Sequence, residues 1–188
     1  MPYQTLGQLC ETMKAELLAF TDEHPEFIRT KHARGEIVLS QGAKQDIGYF
    51  IEKGKLVSSA ISEGGEIRHK EFYFPGELCI LYAEWIRDLP SHFQLAVIED
   101  AILVHVPLNL FKQQTTTELK LKLFQQQLLF KEAKEAFLLL NTVEERYRFL
   151  LEYRTDWVMK ITNQDLANYL GCTAQGLSRI KNRIKKIN

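Results

Sequence analysis

Cysteine is scarce. The three in this 188-residue chain (Cys10, Cys79 and Cys172) are odd in number and widely scattered. They give neither a disulfide framework nor the spacing of a zinc site. An iron–sulfur cluster normally takes four thiolates, so that cofactor is excluded as well. Single buried thiols are the expected role for Cys79 and Cys172. No apolar run approaches the ~20 residues that cross a bilayer. The start, Met1-Pro-Tyr-Gln-Thr-Leu6, lacks the basic stretch and apolar core of a secretory signal. A cytoplasmic protein without a membrane partner is the expectation. Catalytic signatures are missing too: there is no Gly-x-Ser-x-Gly elbow, no Gly-x-x-x-x-Gly-Lys loop and no His-x-His pair. An enzyme, including a metal-holding β-roll of the cupin type, is therefore not expected. The five histidines, His24, His32, His69, His92 and His105, stand apart from one another in the sequence.

Net charge is also absent, with 24 basic and 24 acidic residues, but the balance conceals an asymmetry. Residues 160–188 carry Lys160, Arg179, Lys181, Arg183, Lys185 and Lys186 against the single acid Asp165. That segment is net +5, so residues 1–159 are net −5. Neutralising phosphates supplies much of the affinity of proteins for DNA, and a basic terminal module on an acidic body suits that task.

The same segment carries a pattern. Leu166, Ala167 and Leu170, then Leu177, Ile180 and Ile184, recur at helical spacing. Gly171 lies between the two sets, where a tight turn needs a residue tolerant of positive φ. Thr162 with Asp165 three residues on is suited to cap the first helix, and Thr173 the second. Two short helices about a glycine turn make a helix-turn-helix, whose second helix can enter a major groove.

Upstream the texture varies. Residues 3–33 read as mostly helical, with Leu6, Leu9, Met13, Leu17 and Phe20 on one face until Pro25 interrupts. From Gly35 to Val106 short β-rich runs alternate with glycines, at 36–39, 47–51, 55–61, 71–74, 93–98 and 102–106. That spacing suggests a small barrel or double-sheet roll, with a short helix at 77–87. Beyond Pro107 the pattern turns helical, with a capping box at Thr115-Thr-Thr-Glu118. Leu119, Leu123, Phe124, Leu128, Phe130, Ala133, Phe137 and Leu140 exceed what one helix face needs. Such a helix must bury against two surfaces. The β-domain can supply one. A second copy of the helix most simply supplies the other, which predicts a homodimer. Thr142 and Glu145 offer a further capping box for a helix at 142–154 burying Val143, Tyr147, Leu150 and Leu151. Residues 157–161 read as one strand.

A β-roll, a long helix and a helix-turn-helix in this order resemble the Crp/Fnr family of bacterial transcription regulators. The resemblance covers most of the chain. It rests on Gly35, Gly54, Phe74-Pro-Gly-Glu-Leu78, the strand 98–106, the segment Ile161–Thr173, and Leu177, Ser178 and Arg179. It implies an α+β fold. Residues 1–114 would form a cyclic-nucleotide-binding-like β-roll sensor, 115–140 a dimerisation helix and 141–188 a winged helix-turn-helix DNA-binding domain. In nucleotide-binding members the Gly-Glu that matches Gly76 and Glu77 precedes a short helix, and the Glu accepts from a ribose hydroxyl. An Arg-Ser or Arg-Thr pair then holds the cyclic phosphate. That pair falls here at Ser91-His92, and the arginine is missing. A bidentate guanidinium is the natural partner of a phosphate. Arg87, four residues earlier, is a poor substitute. Phe130-Lys131 stands where such members carry hydroxyls against the base. The expected effector pocket is Gly76, Glu77, Leu78, Ser91, His92, Phe130 and Lys131. A cyclic nucleotide is disfavoured, another small-molecule effector or none is favoured, and protonated His92 is a candidate donor to an anionic ligand.

The resemblance also implies how DNA is read. Thr162, Thr173, Ala174, Gln175, Ser178, Arg179, Lys181 and Arg183 are the candidate contacts, with Leu177 and Ile180 facing inward. Thr173 would meet a phosphate. Gln175 suits adenine, Ala174 a thymine methyl and Arg179 guanine. The sequence given ends at Asn188, fifteen residues after Thr173. The family's β-wing is thus mostly absent from it, and weaker phosphate anchoring is expected. Gly176 costs roughly 1 kcal/mol of helix propensity against Ala and has no explanation at this level. The expected function is a sequence-specific regulator on palindromic double-stranded DNA, with RNA polymerase as a further candidate partner. The alternative is a small-molecule sensing or protein-interaction module that uses the β-roll and dimer helix without specific DNA binding.

Overall fold

The computed structural model describes the backbone of residues 2–153 and 155–187 and the side chains of 12–152, 155 and 158–185. The side chains of Leu6, Leu9, Cys10 and Lys186, named above, lie outside the described residues, as does that of Trp157 in the segment 157–161. The chain divides into two compact units, Met1–Leu129 and Phe130–Asn188.

In the first unit, α1 (Pro2–Asp22) buries Met13 and Leu17. The expected helical stretch ends there. Arg29–His32 instead form strand β1, because β6 (Gln94–Pro107) offers a ladder, with Arg29 opposite Val104 and His32 opposite Ala101. Four residues are too few to announce a strand by pattern alone, and their partner lies some 70 residues away. β2 (Ile37–Leu39) also pairs with β6. β3 (Ile47–Ile61) runs through both short segments read around Gly54, and β6 likewise joins 93–98 to 102–106. The break is a bulge. The β3–β6 register shifts between Ile51 and Leu56, and Gly54 sits at φ +86°. A Cβ there would lie 2.5 Å from the Asp100 carbonyl oxygen, so only glycine fits. β4 (Ile67–Tyr73) folds back on β3, and β5 (Leu78–Cys79) pairs with Phe50 and Tyr49. That pairing takes the first part of the helix expected at 77–87 and leaves α2 (Tyr82–Ile86). All pairings are antiparallel, in the order β1-β6-β3-β4 with β2 and β5 attached to β6 and β3.

Alternate residues of β3 and β6 feed two cores. Phe50, Val104 and Val106 join Met13, Leu17, Phe111 and Leu123. Ile51, Leu56, Leu95, Val97 and Leu103 form the other with Cys79 and Leu81. Buried Gln45 is fully used: its Nε2 donates to the Ile47 and Cys79 carbonyls, and its Oε1 accepts from Leu81 N–H at 2.8 Å. The burial that hides Cys79 also pushes its thiol pKa up, so it is an inert packing group.

Two 3-10 turns (Leu108–Lys112 and Gln114–Thr116) precede the long helix α3 (Thr117–Leu140). The expected Thr115–Glu118 capping box is replaced there. Thr116 Oγ1 donates to the Leu110 and Gln113 carbonyls, at 2.6 and 3.1 Å, and ties the turns together. On α3, Leu121, Leu128 and Leu129 in the first unit and Leu139 and Leu140 in the second are exposed.

In the second unit the Thr142–Glu145 box forms as expected. Glu145 Oε2 accepts from Thr142 N–H at 2.7 Å, and Thr142 Oγ1 accepts from Glu145 N–H at 3.3 Å. It opens α4 (Val143–Tyr153), which buries Tyr147 and Leu150 while Val143 is half-buried and Leu151 exposed. The strand expected at 157–161 is absent. Its place is taken by α5 (Thr155–Lys160), since β6 is the last strand among the described residues and a lone strand has no ladder to satisfy its backbone. No helix among the described residues is long and apolar enough to cross a membrane.

Candidate nucleic-acid interface

The basic segment folds into α6 (Asn163–Leu170) and α7 (Ala174–Ile187). Thr162 caps α6, its Oγ1 accepting from Asp165 N–H at 3.1 Å and donating to the Asp165 carboxylate at 2.7 Å. Gly171 ends α6 at φ 75°, ψ 35°, the left-handed conformation that lets the chain reverse within three residues. Thr173 Oγ1 then accepts from Gly176 N–H at 3.0 Å and starts α7. A Cβ at Gly176 would lie 3.2 Å from that hydroxyl, a tight contact but not one that by itself requires glycine. Between the helices Leu166, Ala167, Leu170 and Leu177 are wholly buried, which fixes α7 on α6. Ile180 is half-buried, consistent with its inward assignment.

Burial of that stripe turns the opposite side of α7 outward. Gln175, Ser178 and Arg179 are exposed, Ala174 is half-buried, and Thr173 and Thr162 are exposed beside them. Two further candidates lie elsewhere. Lys181 packs its ammonium 5.6 Å from the Tyr147 ring centroid, and Arg183 pairs with Glu144 at 3.2 Å. Both lean on α4 and not into the row formed by Gln175, Ser178 and Arg179. Asn182, one turn beyond Ser178, is exposed and continues that row; its uncharged side chain gave no sequence signal. Asn163 is a second residue missed by pattern. Its Nδ2 donates to the Ala174 carbonyl at 3.2 Å and to Ser178 Oγ at 3.4 Å. Because Ser178 Oγ also donates to the Ala174 carbonyl at 2.9 Å, its proton is committed and its remaining lone pair is what it can offer a base.

The predicted effector pocket residues behave differently. Gly76, at φ +84°, donates its N–H to the Ile51 carbonyl. Glu77 Oε2 accepts from Phe74 N–H at 3.0 Å. Ser91 is buried, with Oγ donating to the Phe93 carbonyl at 2.6 Å and accepting from Phe93 N–H at 3.0 Å. Leu78 is buried in the core, His92 is exposed, and Arg87 is exposed. Phe130 and Lys131 stand on α3 in the second unit, half-buried and exposed respectively. The groups that would greet a ribose and a phosphate are thus engaged with the turns that carry them. Cys172, expected to be buried, is half-buried.

No family model matches the chain. A curated relative, the anaerobic regulatory protein of Aggregatibacter actinomycetemcomitans, is 27% identical over 170 residues, which cover 82% of this chain and 65% of the relative. The chain therefore spans about two thirds, and slightly less, of the length of such relatives. Among solved structures, FixK2 from Bradyrhizobium japonicum superposes with a TM-score of 0.69 at 20% identity, covering 85% of each chain. TTHA1359, a transcriptional regulator of the CRP/FNR family from Thermus thermophilus, gives 0.64 at 15% identity, covering 86% of this chain and 87% of that one. The β-roll, the long helix and the helix-turn-helix are thus shared, in order, with these solved structures, and the chain is similar in fold to a regulator of the CRP/FNR family and, at 27% identity, in sequence to an anaerobic regulatory protein.

Proposed function

We propose that this protein is a homodimeric, sequence-specific DNA-binding transcription regulator whose β-roll does not take a cyclic nucleotide. The observation that carries the reading is the capped helix-turn-helix with Gln175, Ser178 and Arg179 exposed in one row over the buried Leu177. Positive charge concentrated in residues 160–188 supplies the phosphate attraction. Gln175 reads adenine through N6 and N7, and Arg179 reads guanine through O6 and N7. Exposed Leu121, Leu128, Leu129, Leu139 and Leu140 on α3 supply the face for a twin helix, and a two-fold dimer calls for a palindromic operator. The cyclic nucleotide is disfavoured because Ser91-His92 carries no guanidinium, because Ser91 Oγ is engaged with the Phe93 backbone, and because one Glu77 carboxylate oxygen accepts from Phe74 N–H. Cytoplasmic location fits this role, with RNA polymerase as a candidate partner.

Selection from a randomised duplex pool, repeated over a salt series, tests the proposal. Enrichment of two inverted half-sites, with log affinity falling linearly in log salt, is expected. Equal affinity for every sequence, or indifference to salt, would sink it.

A further inference from the structure

Arg146, on α4, was not marked by any sequence pattern. Its guanidinium makes three hydrogen bonds, all to backbone carbonyls and all within the second unit. Nε donates to Asn141 O at 3.0 Å, Nη1 to Leu170 O at 2.9 Å, and Nη2 to Leu138 O. Leu138 lies in the last turn of α3 and Asn141 directly follows it, and Leu170 is the last residue of α6, directly before Gly171. Carbonyls in the last turn of a helix have no partner within it, and they carry the negative end of the helix dipole. One planar cation therefore closes two helix ends at once. The planar fork matters here, because an ammonium has no comparable fixed geometry for reaching several carbonyls. Two other contacts run alongside: Lys134 of α3 lies 4.4 Å from the Tyr169 ring centroid of α6, and Phe137 of α3 meets Phe149 of α4 at 5.3 Å.

The chemistry of this clamp joins two surfaces that the proposed function needs. Leu139 and Leu140, exposed on α3, lie in the chain between Leu138 and Asn141, whose carbonyls Arg146 holds. Gly171, Cys172 and Thr173, on the other side, lead straight into α7. We propose that Arg146 is a positioning residue. It fixes the recognition helix relative to the end of the dimer helix, and so sets the half-site spacing that the dimer accepts. This rests on the DNA-binding reading above, but its geometric part does not.

Two measurements on the full chain separate them. The first uses Arg146→Lys and Arg146→Ala with symmetric duplexes that keep the half-sites and vary the spacer one base pair at a time. The wild type is expected to show a sharp optimum. Both variants should lose about tenfold of that discrimination while their base preference within a half-site is kept. The second places spin labels at Glu135→Cys and Asn182→Cys, both exposed, after the three cysteines are replaced by alanine. With doubly labelled chain diluted in unlabelled chain, a single narrow distance within the protomer is expected with Arg146, and a broadened one in each variant. An unchanged distance distribution, or a spacer optimum as sharp as the wild type's, overturns the proposal. Failure of both variants to fold overturns it as well, because Arg146 would then be a general stability requirement. A wild type that binds no duplex sinks the DNA reading, while the distance measurement still decides the clamp.

Discussion

At the scale of single residues, backbone geometry explains more than side-chain chemistry does. Gly54 is the clearest case, since its missing Cβ makes room for the Asp100 carbonyl at the β3–β6 bulge. Gly54→Ala should cost about 3 kcal/mol or more, from positive-φ strain plus displaced backbone, read as a lower urea midpoint. His105 shows what the sequence hid. Thr30 Oγ1 lies 2.7 Å from His32 Nε2 and 2.8 Å from His105 Nε2, and Glu36 holds His32 Nδ1 at 2.8 Å. These partners, spread from residue 30 to residue 105, meet only because β1 pairs with β6. Burial, then the charge of nearby His32, lowers the His105 pKa from its ordinary 6.5. The folded state therefore holds His105 neutral where the unfolded chain would protonate it. Its contribution to stability is complete above about pH 6.5 and is lost as pH falls through the lowered value. Thermal melts from pH 7.5 down to pH 5 should show that decline, and His105→Gln should flatten it.

At the scale of elements, short-range capping was legible and long-range pairing was not. The boxes at Thr142–Glu145 and Thr162–Asp165 and the cap at Thr173 form where the sequence places them, because each needs only residues three positions apart. Thr173→Ala should cost ~1 kcal/mol through loss of the bond to Gly176 N–H and should fray the first turn of α7, visible as faster amide exchange there. In the same way, strand β1 and the helical turn α5 were misread because their form depends on whether a ladder partner exists. α3 is a mixed case. Its excess of apolar residues is plain from spacing, and the structure leaves Leu139 and Leu140 exposed at 73% and 81%. Leu139→Glu with Leu140→Glu should shift the protein toward monomer in analytical ultracentrifugation and leave the β-roll's melting unchanged. A dimer that survives the pair would place the interface elsewhere.

For the whole molecule, charge and pocket chemistry carry the expectations. The basic terminal part of the second unit and the acidic remainder of the chain predict binding to duplexes that weakens steeply with salt. A ligand present at ~100 times its dissociation constant would add about 2.7 kcal/mol of stability. Cyclic AMP at millimolar concentration should therefore leave the melting temperature where it is. A rise of several degrees would show that Glu77 and Ser91 can be released from their own turns.

The sequence by itself determined the order of the modules, the helix-turn-helix, its caps and its charge, because these depend on spacings of three to seven residues and on composition. It also exposed the missing arginine at Ser91-His92. Only the tertiary structure decided which basic residues of α7 take partners on α4. Lys181 and Arg183 were drawn to Tyr147 and Glu144 of α4. It alone decided that Glu77 and Ser91 bond to the backbone of Phe74 and Phe93, and that Arg146 gathers carbonyls from two helix ends. The reason is common to all three. A polar group takes whichever partner the packing of apolar faces brings within reach, and that packing joins segments the local pattern cannot relate.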